Sequence, residues 1–174
     1  LRVRYEAFEP LGGTNDTRAI YARADAVPGG IKEPADIVKA DTLAVGALNP
    51  TDVSGLLPKL ALEVLGVRHK VIVGYRGGSD VFLAMQRGEV QVHSTSIASL
   101  RTRNAPFLSS GQGVAIAYLA TMGRNGETAR NPHVTEMPAL PDLYRQIHGR
   151  APSGAAWDAM SWLVQQVSDL MYVG

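Results

Sequence analysis

Short apolar runs rich in β-branched residues alternate along this chain with stretches of helical periodicity, and this alternation constrains the fold more than any other feature. The alternation is typical of α/β proteins, in which helices pack against a central sheet. Several of the runs are apolar almost throughout, as expected of strands that are covered on both faces. We therefore predict an α/β fold with a mostly parallel central sheet of about five strands, flanked by helices. The predicted strands are residues 18–23, 42–46, 70–74, 90–93 and 114–119.

Helices are predicted between these strands. A short helix is expected over residues 33–40, and a second one ends at Gly66, where glycine permits helix termination. Ser79 is predicted to cap a third helix and Ser153 to cap the last one, while residues 123–141 are predicted to form a loop. Apolar stripes mark two of the helices: Leu57, Leu60, Ala61, Val64 and Leu65 in the second, and Trp157, Met160, Val164, Val167 and Met171 in the last.

The composition excludes several classes of function. The 174 residues include 17 Lys and Arg against 16 Asp and Glu, so the clustered basic charge of a nucleic-acid surface is lacking. There is no cysteine, the four histidines show no metal-ligand spacing, and no nucleotide-binding or nucleophile motif occurs. No run approaches the roughly 18 apolar residues of a membrane span. We therefore predict no catalytic residue, no metal site, no cofactor and no nucleic-acid partner.

Three predicted strands end in small polar residues that lead into a helix. The first junction contains Asn49, Thr51 and Ser54, the second contains Gly77, Gly78 and Ser79, and the third contains Ser94, Thr95 and Ser96, followed by a helical segment over residues 97–103. The first turn of a helix has unpaired N–H groups and carries part of a positive charge. Taken singly, such residues are most often simple helix caps.

Three helix starts at one edge of a sheet would make an anion site without any cationic side chain. Open parallel sheets bind ligands at the edge formed by the carboxyl ends of their strands. Asp52 and Asp80 lie near two of these helix starts, and they are expected to point away because they would repel an anion.

Residues 61–79, which end in Gly-Tyr-Arg-Gly-Gly-Ser, and residues 84–90 resemble the substrate-binding receptors of tripartite tricarboxylate transporters. Residues 31–38 and 139–142 are similar to other segments of that family, and the resemblance extends over about residues 15–145. Two departures concern the site: Gly74 stands where the family usually has proline, and His93-Ser94 stands where many members have an aromatic residue followed by Asp.

The resemblance implies one lobe of a type II periplasmic-binding-protein, or Venus-flytrap, fold. In this interpretation residues 1–174 form a single domain, the second ligand-binding lobe, with hinge-proximal segments near 1–20 and 170–174. The matching positions imply that Tyr75 and the residues of the three junctions contact a small organic carboxylate. The implied partners are the missing first lobe of the same receptor and a membrane permease.

The implied protein is a periplasmic solute receptor and not an enzyme, although no signal peptide is present in this chain. Two alternatives remain at this point. One is the ligand-binding module of a sensor, and the other is a fragment of an α/β enzyme whose catalytic groups lie in missing sequence.

Overall fold

A five-stranded sheet forms the centre of the protein in the computed structural model, which describes residues 17–121, 123 and 127–169 and the paired backbone of residues 12–13 and 172–173. The central strands are β2 (Arg18–Arg23), β3 (Leu43–Gly46), β4 (His69–Ile72), β5 (Val92–Ser96) and β6 (Gly113–Tyr118). Two short strands, β1 (Gly12–Gly13) and β7 (Tyr172–Val173), pair with each other as a separate antiparallel ladder.

The order of strands in the central sheet is β4-β3-β5-β2-β6. β3 pairs in parallel with β4 and β5, whereas β2 lies antiparallel between β5 and β6. Four of the five strands therefore run in the same direction, which confirms the predicted mostly parallel sheet. The reversed β2 begins at the edge where the other strands end, and its Arg18 pairs with Ser96 of β5.

Helices cover both faces of this sheet, as predicted. A 3-10 helix (Pro34–Lys39) and α1 (Val53–Leu65), α5 (Leu140–His148) and α6 (Ala155–Asp169) lie on one side. The other side carries α2 (Gly78–Gln86), α3 (Ile97–Arg101) and α4 (Ala105–Ser109). Within the described residues, none of the helices combines the length and the hydropathy needed to cross a bilayer.

Alternate residues of the strands enter two separate cores because successive side chains of a strand point to opposite faces. In β2, Ile20 packs in the first core and Tyr21 in the second, and both are fully buried. Trp157 and Met160 of α6 are buried in the first core, as their stripe predicts, and Val164 packs against it. The side chains of Val167 and Met171 lie outside the described residues.

Several predicted boundaries were wrong. β5 extends through Ser96, so the third polar junction is strand and not turn, because these residues pair with β2. The N-cap of α2 is Gly77 rather than Ser79, and Gly154, with a φ of 96°, directly precedes α6 in place of the predicted cap Ser153. α5 begins within the predicted loop because Pro141 occupies its first turn, where a missing N–H is tolerated.

Proline also interrupts α1. Pro58 lies inside this helix and has no N–H to donate to the carbonyl of Ser54, its partner four residues earlier. The hydroxyl of Ser94, which is buried in β5, donates to that carbonyl at 3.0 Å. A side chain of the sheet thus replaces the backbone donor that proline removes, and it fixes the start of α1 against the end of β5.

The two edges of the sheet differ. At the β6 edge, the backbone N–H of Tyr118 donates to the carbonyl of Pro138 at 3.0 Å, and Ala139 forms a parallel bridge with Tyr118. The opposite edge is β4, whose central residues Lys70 and Val71 are exposed to solvent. Among the described residues, the sheet is therefore covered at the carboxyl end of one edge strand and open along the other.

Candidate functional site

The three polar junctions lie at the same edge of the sheet. β4, β3 and β5 are parallel neighbours, so their carboxyl ends meet there, and α2, α1 and α3 each begin after one of them. A cleft of about 230 Å³ opens at this edge. The residues that line it are Arg18, Tyr21, Leu48, Asp52, Ser54, Gly78, Phe82, His93, Ser94, Thr95, Arg103 and Asn104.

The start of α1 already has a carboxylate of its own. Asp52 is the N-cap of this helix, and its carboxylate accepts a hydrogen bond from the hydroxyl of Ser54. A negative charge at this position stabilises the helix dipole. Asp52 lines the cleft, so the expectation that it points away was wrong, whereas Asp80 lies outside the lining. The cleft therefore contains a negative charge that the sequence analysis placed elsewhere.

The start of α2 is open. The N–H groups of Gly78 and Ser79 donate to no group among the described residues, while the Gly77 carbonyl accepts from Asp80 at 3.0 Å and Val81 at 3.2 Å. A Cβ built at Gly78 would meet only the Nε2 of His93, at 3.8 Å, and one at Gly77 would meet nothing within 4 Å. The first turn of α2 thus presents two free donors at a place where another molecule can approach the backbone.

A guanidinium group lies against this first turn. The Nη1 of Arg103 donates to the Ser79 hydroxyl at 3.0 Å, and its Nη2 donates to the Ser99 hydroxyl at 3.5 Å. Arg103 forms no ion pair with any described residue, unlike Arg101, whose Nε lies 2.7 Å from a carboxylate oxygen of Glu136. Both Arg103 and Arg18 line the cleft. The prediction of an anion site without cationic side chains was therefore wrong.

The floor of the cleft is polar but neutral. His93 is 3% exposed, and burial, with help from the positive charges of Arg18 and Arg103, lowers its pKa to about 4. Its Nδ1 has no hydrogen-bond partner of normal geometry among the described residues, although the Gly46 carbonyl favours the charged ring. The Tyr21 hydroxyl accepts from Asn104 Nδ2 at 3.1 Å, and burial raises the pKa of this phenol.

The third junction serves mainly to hold the structure together. The Ser94 hydroxyl donates to α1, and the Ser96 hydroxyl accepts from the N–H of Ser99 at 3.1 Å and so caps α3. Thr95, between them, is partly exposed and lines the cleft. Of this group, Thr95 is therefore the residue whose hydroxyl is best placed to contact a ligand.

The cleft brings together four of the predicted site residues, namely Ser54, Gly78, Ser94 and Thr95. The others lie outside its lining. The N–H and hydroxyl of Thr51 both donate to the Asn49 side chain at 3.0 Å, which makes a local turn on the surface. Tyr75 packs against the core that contains α2, and Gly77, Ser79 and Ser96 lie at the ends of their helices.

Sequence reasoning missed Arg18, Arg103 and His93 as cleft residues. Arg103 belongs to the run Arg-Thr-Arg at 101–103, which is typical of a solvated helix end. α3 ends at Arg101, and the backbone of Thr102 leaves the helical region, so the two arginines point to different partners.

A larger cavity of about 570 Å³ lies at the end of β6 and shares Arg18. Its Arg130 is paired with Asp142, at 2.9 Å.

In its fold, this chain is similar to solved structures of periplasmic binding proteins, which have two lobes. The chain spans about half the length of the solved structures that it resembles. They are solute-binding proteins rather than enzymes, and the fold implied by the sequence resemblance is thereby confirmed. No protein-family profile and no curated protein matches the sequence.

Three of these solved structures are similar to nearly the whole of this chain. The periplasmic binding protein BugD is 22% identical, with 91% of this chain and 53% of BugD covered and a TM-score of 0.55. MatC from Rhodopseudomonas palustris with bound malate is 20% identical, with coverages of 88% and 52% and a TM-score of 0.54. A TctC solute-binding protein from Polaromonas, without ligand, is 18% identical, with coverages of 97% and 58% and a TM-score of 0.53.

Proposed function

We propose that this chain is the second ligand-binding lobe of an extracytoplasmic solute receptor that captures a small organic carboxylate for transporter-mediated uptake. The observation that carries the proposal is the first turn of α2, where the free N–H groups of Gly78 and Ser79 lie beside the guanidinium of Arg103. The malate bound to MatC, a protein of the same fold, supports this class of ligand.

The proposed roles follow from the chemistry of the cleft. A carboxylate accepts hydrogen bonds from the two backbone donors, and the positive end of α2 and Arg103 balance its charge. Thr95 offers a hydroxyl to the same ligand. His93 stays neutral at the pH of most media because its pKa is about 4. It therefore adds a hydrogen-bonding group without adding charge.

The partners of such a lobe are proposals of the same kind. A first lobe outside this chain would close over the cleft and supply the remaining contacts, and a membrane permease would receive the ligand in the periplasm. Because one lobe provides only part of the contacts and no enclosure, we expect the isolated chain to bind a carboxylate with a Kd on the order of millimolar.

The proposal is tested by NMR titration of the ¹⁵N-labelled chain with malate, with the neutral dimethyl ester of malate as the matched control ligand. The amide signals of Gly78 and Ser79 should shift with malate and stay in place with the ester. Unchanged amides in a folded chain, across malate, succinate and adipate alike, would refute the proposed carboxylate site. Micromolar binding would contradict the requirement for a second lobe.

Two pairs of variants locate the site. Gly78→Asp places a carboxylate beside the bound one and should lower the affinity about tenfold or more, whereas Gly78→Ala should keep most of it, because the added methyl meets only His93 at 3.8 Å. Arg103→Gln should weaken malate binding, and Arg101→Gln should not, because Arg101 is paired with Glu136 outside the cleft.

A further inference from the structure

The side chain of Asn104 is bonded to a distant strand rather than to its own helix. Asn104 is the N-cap residue of α4, and its carbonyl accepts from the N–H groups of Phe107 at 3.1 Å and Leu108 at 3.2 Å. An asparagine at this position commonly uses its side chain to accept from the first turn of the helix. The Asn104 side chain makes no such cap, and its Nδ2 donates to the Tyr21 hydroxyl of β2 at 3.1 Å. The start of α4 is therefore tied to the sheet.

Both partners of this hydrogen bond are buried. Tyr21 is 0% exposed and Asn104 is 3% exposed, and β2 pairs with a strand on each of its sides. Because water has little access here, neither group finds a new partner when the other is removed. The Tyr21 hydroxyl is thus a fixed point to which the chain after α3 is attached.

Arg103 lies directly before this attachment, in the short link between the end of α3 and the start of α4. The Thr102 hydroxyl donates to the carbonyl of Ala98 at 2.8 Å, and the N–H of Asn104 donates to the carbonyl of Ser99 at 3.1 Å. The chain is therefore held on both sides of Arg103, and this fixes the direction in which its side chain leaves the backbone.

The guanidinium of Arg103 reaches α2 from an exposed position. Its hydrogen-bond partners there, Ser79 and Ser99, are neutral hydroxyls, and it forms no ion pair with any residue that the structure describes. A long exposed side chain has many conformations, and hydrogen bonds to neutral groups offset little of the entropy lost in fixing it. The position of its backbone therefore decides how often the guanidinium lies at the start of α2.

From these contacts we propose that the hydrogen bond between Tyr21 and Asn104 is a positioning element, which directs Arg103 to the first turn of α2 and so raises the affinity of the cleft for its solute. The inference rests on the proposed function, because it assigns control of the same site to two buried residues. Tyr21 and Asn104 act through Arg103 and not through contact with the solute.

The first test needs no ligand. The heteronuclear NOE of the Arg103 Nε–H group is measured by ¹⁵N NMR, and the loss of one signal in Arg103→Gln assigns it. We expect the high NOE of an ordered group in the native chain and a fall toward the value of a free arginine in Tyr21→Phe, which removes one oxygen atom and adds none. Asn104→Ala removes the other partner and should have the same effect. An unchanged NOE in Tyr21→Phe would overturn the proposal.

The second test measures the affinity for malate from the amide shifts of Gly78 and Ser79. Tyr21→Phe should raise the Kd about fivefold, which is part of the effect of one hydrogen bond to a charged group. Tyr118→Phe is the matched control, because its hydroxyl is also on a buried residue, accepts from the N–H of Asn131 at 3.3 Å and lies outside the cleft. It should leave the Kd unchanged. Equal increases in the two variants would indicate a general loosening and would overturn the positioning role.

A double-mutant cycle separates positioning from contact. In an Arg103→Gln background, Tyr21→Phe should change the Kd by less than about twofold, because the group that it positions is gone. The full loss of affinity in this background would mean that the Tyr21 hydroxyl contacts the solute itself, and the proposal would be wrong. If malate shifts no α2 amide of the folded native chain, the proposed function fails, while the NOE of Arg103 still decides whether Tyr21 and Asn104 position it.

Discussion

The hydrogen bond between Ser94 and the carbonyl of Ser54 gives the sharpest prediction about stability. Because Pro58 has no N–H, the Ser94 hydroxyl is the donor for a carbonyl inside the first turns of α1. Ser94→Ala removes this donor from a position that is 1% exposed, where water has little access to replace it. The variant should therefore be less stable than the native chain.

The size of the effect follows from the burial of the two groups. Loss of an ordinary hydrogen bond costs about 1 kcal/mol, and a buried carbonyl left without a donor raises the cost to about 1–3 kcal/mol. The Ser54 carbonyl belongs to a partly exposed residue, so the lower half of this range is expected. For a domain of this length such a loss lowers the Tm by a few degrees, at about 2–4 °C for each kcal/mol.

A double-mutant cycle isolates this hydrogen bond from other effects of the substitution. Urea unfolding is followed by tryptophan fluorescence, which should change because Trp157 is buried in the core, whereas Trp162 is already exposed in the folded chain. In a Pro58→Ala background the new N–H can donate to the Ser54 carbonyl, so Ser94→Ala should cost less than about 0.5 kcal/mol there. The same cost in both backgrounds would refute the compensation, and Ser109→Ala, at an exposed hydroxyl, serves as the control.

Two further predictions concern the pH dependence of stability and the packing of a glycine. The pKa of His93 is about 4 in the folded chain against 6.5 for the free side chain, so protonation of this residue favours the unfolded state. The contribution of His93 to the free energy of unfolding is complete above pH 6.5. As the pH drops to 4, the free energy of unfolding should therefore fall by about 3 kcal/mol. His93→Gln should flatten this part of a curve of unfolding free energy against pH, and an unchanged slope would contradict the assignment. Gly55→Ala should destabilise the fold by about 1–3 kcal/mol in urea titrations, because the new Cβ would lie 2.3 Å from that of Ala47. Gly77→Ala is the control, since its φ of −171° is extended backbone and its added methyl meets nothing within 4 Å; equal losses would contradict the steric explanation.

Most of the sheet could be predicted from the sequence because several of its strands are apolar on both faces, as in residues 43–46, all of which are buried. The third junction could not, because Ser94, Thr95 and Ser96 have the composition of a turn. Their extended conformation comes from pairing with β2, which lies more than 70 residues away in the sequence. The composition of residues 94–96 does not indicate that they pair with a strand so distant in the sequence.

The site could be predicted at the level of the backbone but not at the level of the charges. The two glycines at the start of α2 indicated an open helix start, and the structure has it. The directions in which Asp52 and Arg103 point depend on tertiary packing. Asp52 lines the cleft at the start of α1. Arg103 lies beyond the end of α3 and donates a hydrogen bond to the Ser79 hydroxyl. Charge counts along the chain carry no information about such directions.

The open edge of the sheet at β4 limits how copies of this protein can associate. An unpaired edge strand can hydrogen-bond to a second edge, and exposed Val71 and Val73 would add apolar contact to such a pairing. When two β4 strands pair about a twofold axis, both chains form the interface with the same edge, and this edge is then no longer free to bind a third chain. The assembly therefore closes as a dimer and does not grow into a filament. The four-residue length of β4 and the exposed charge of Lys70 keep even that pairing short.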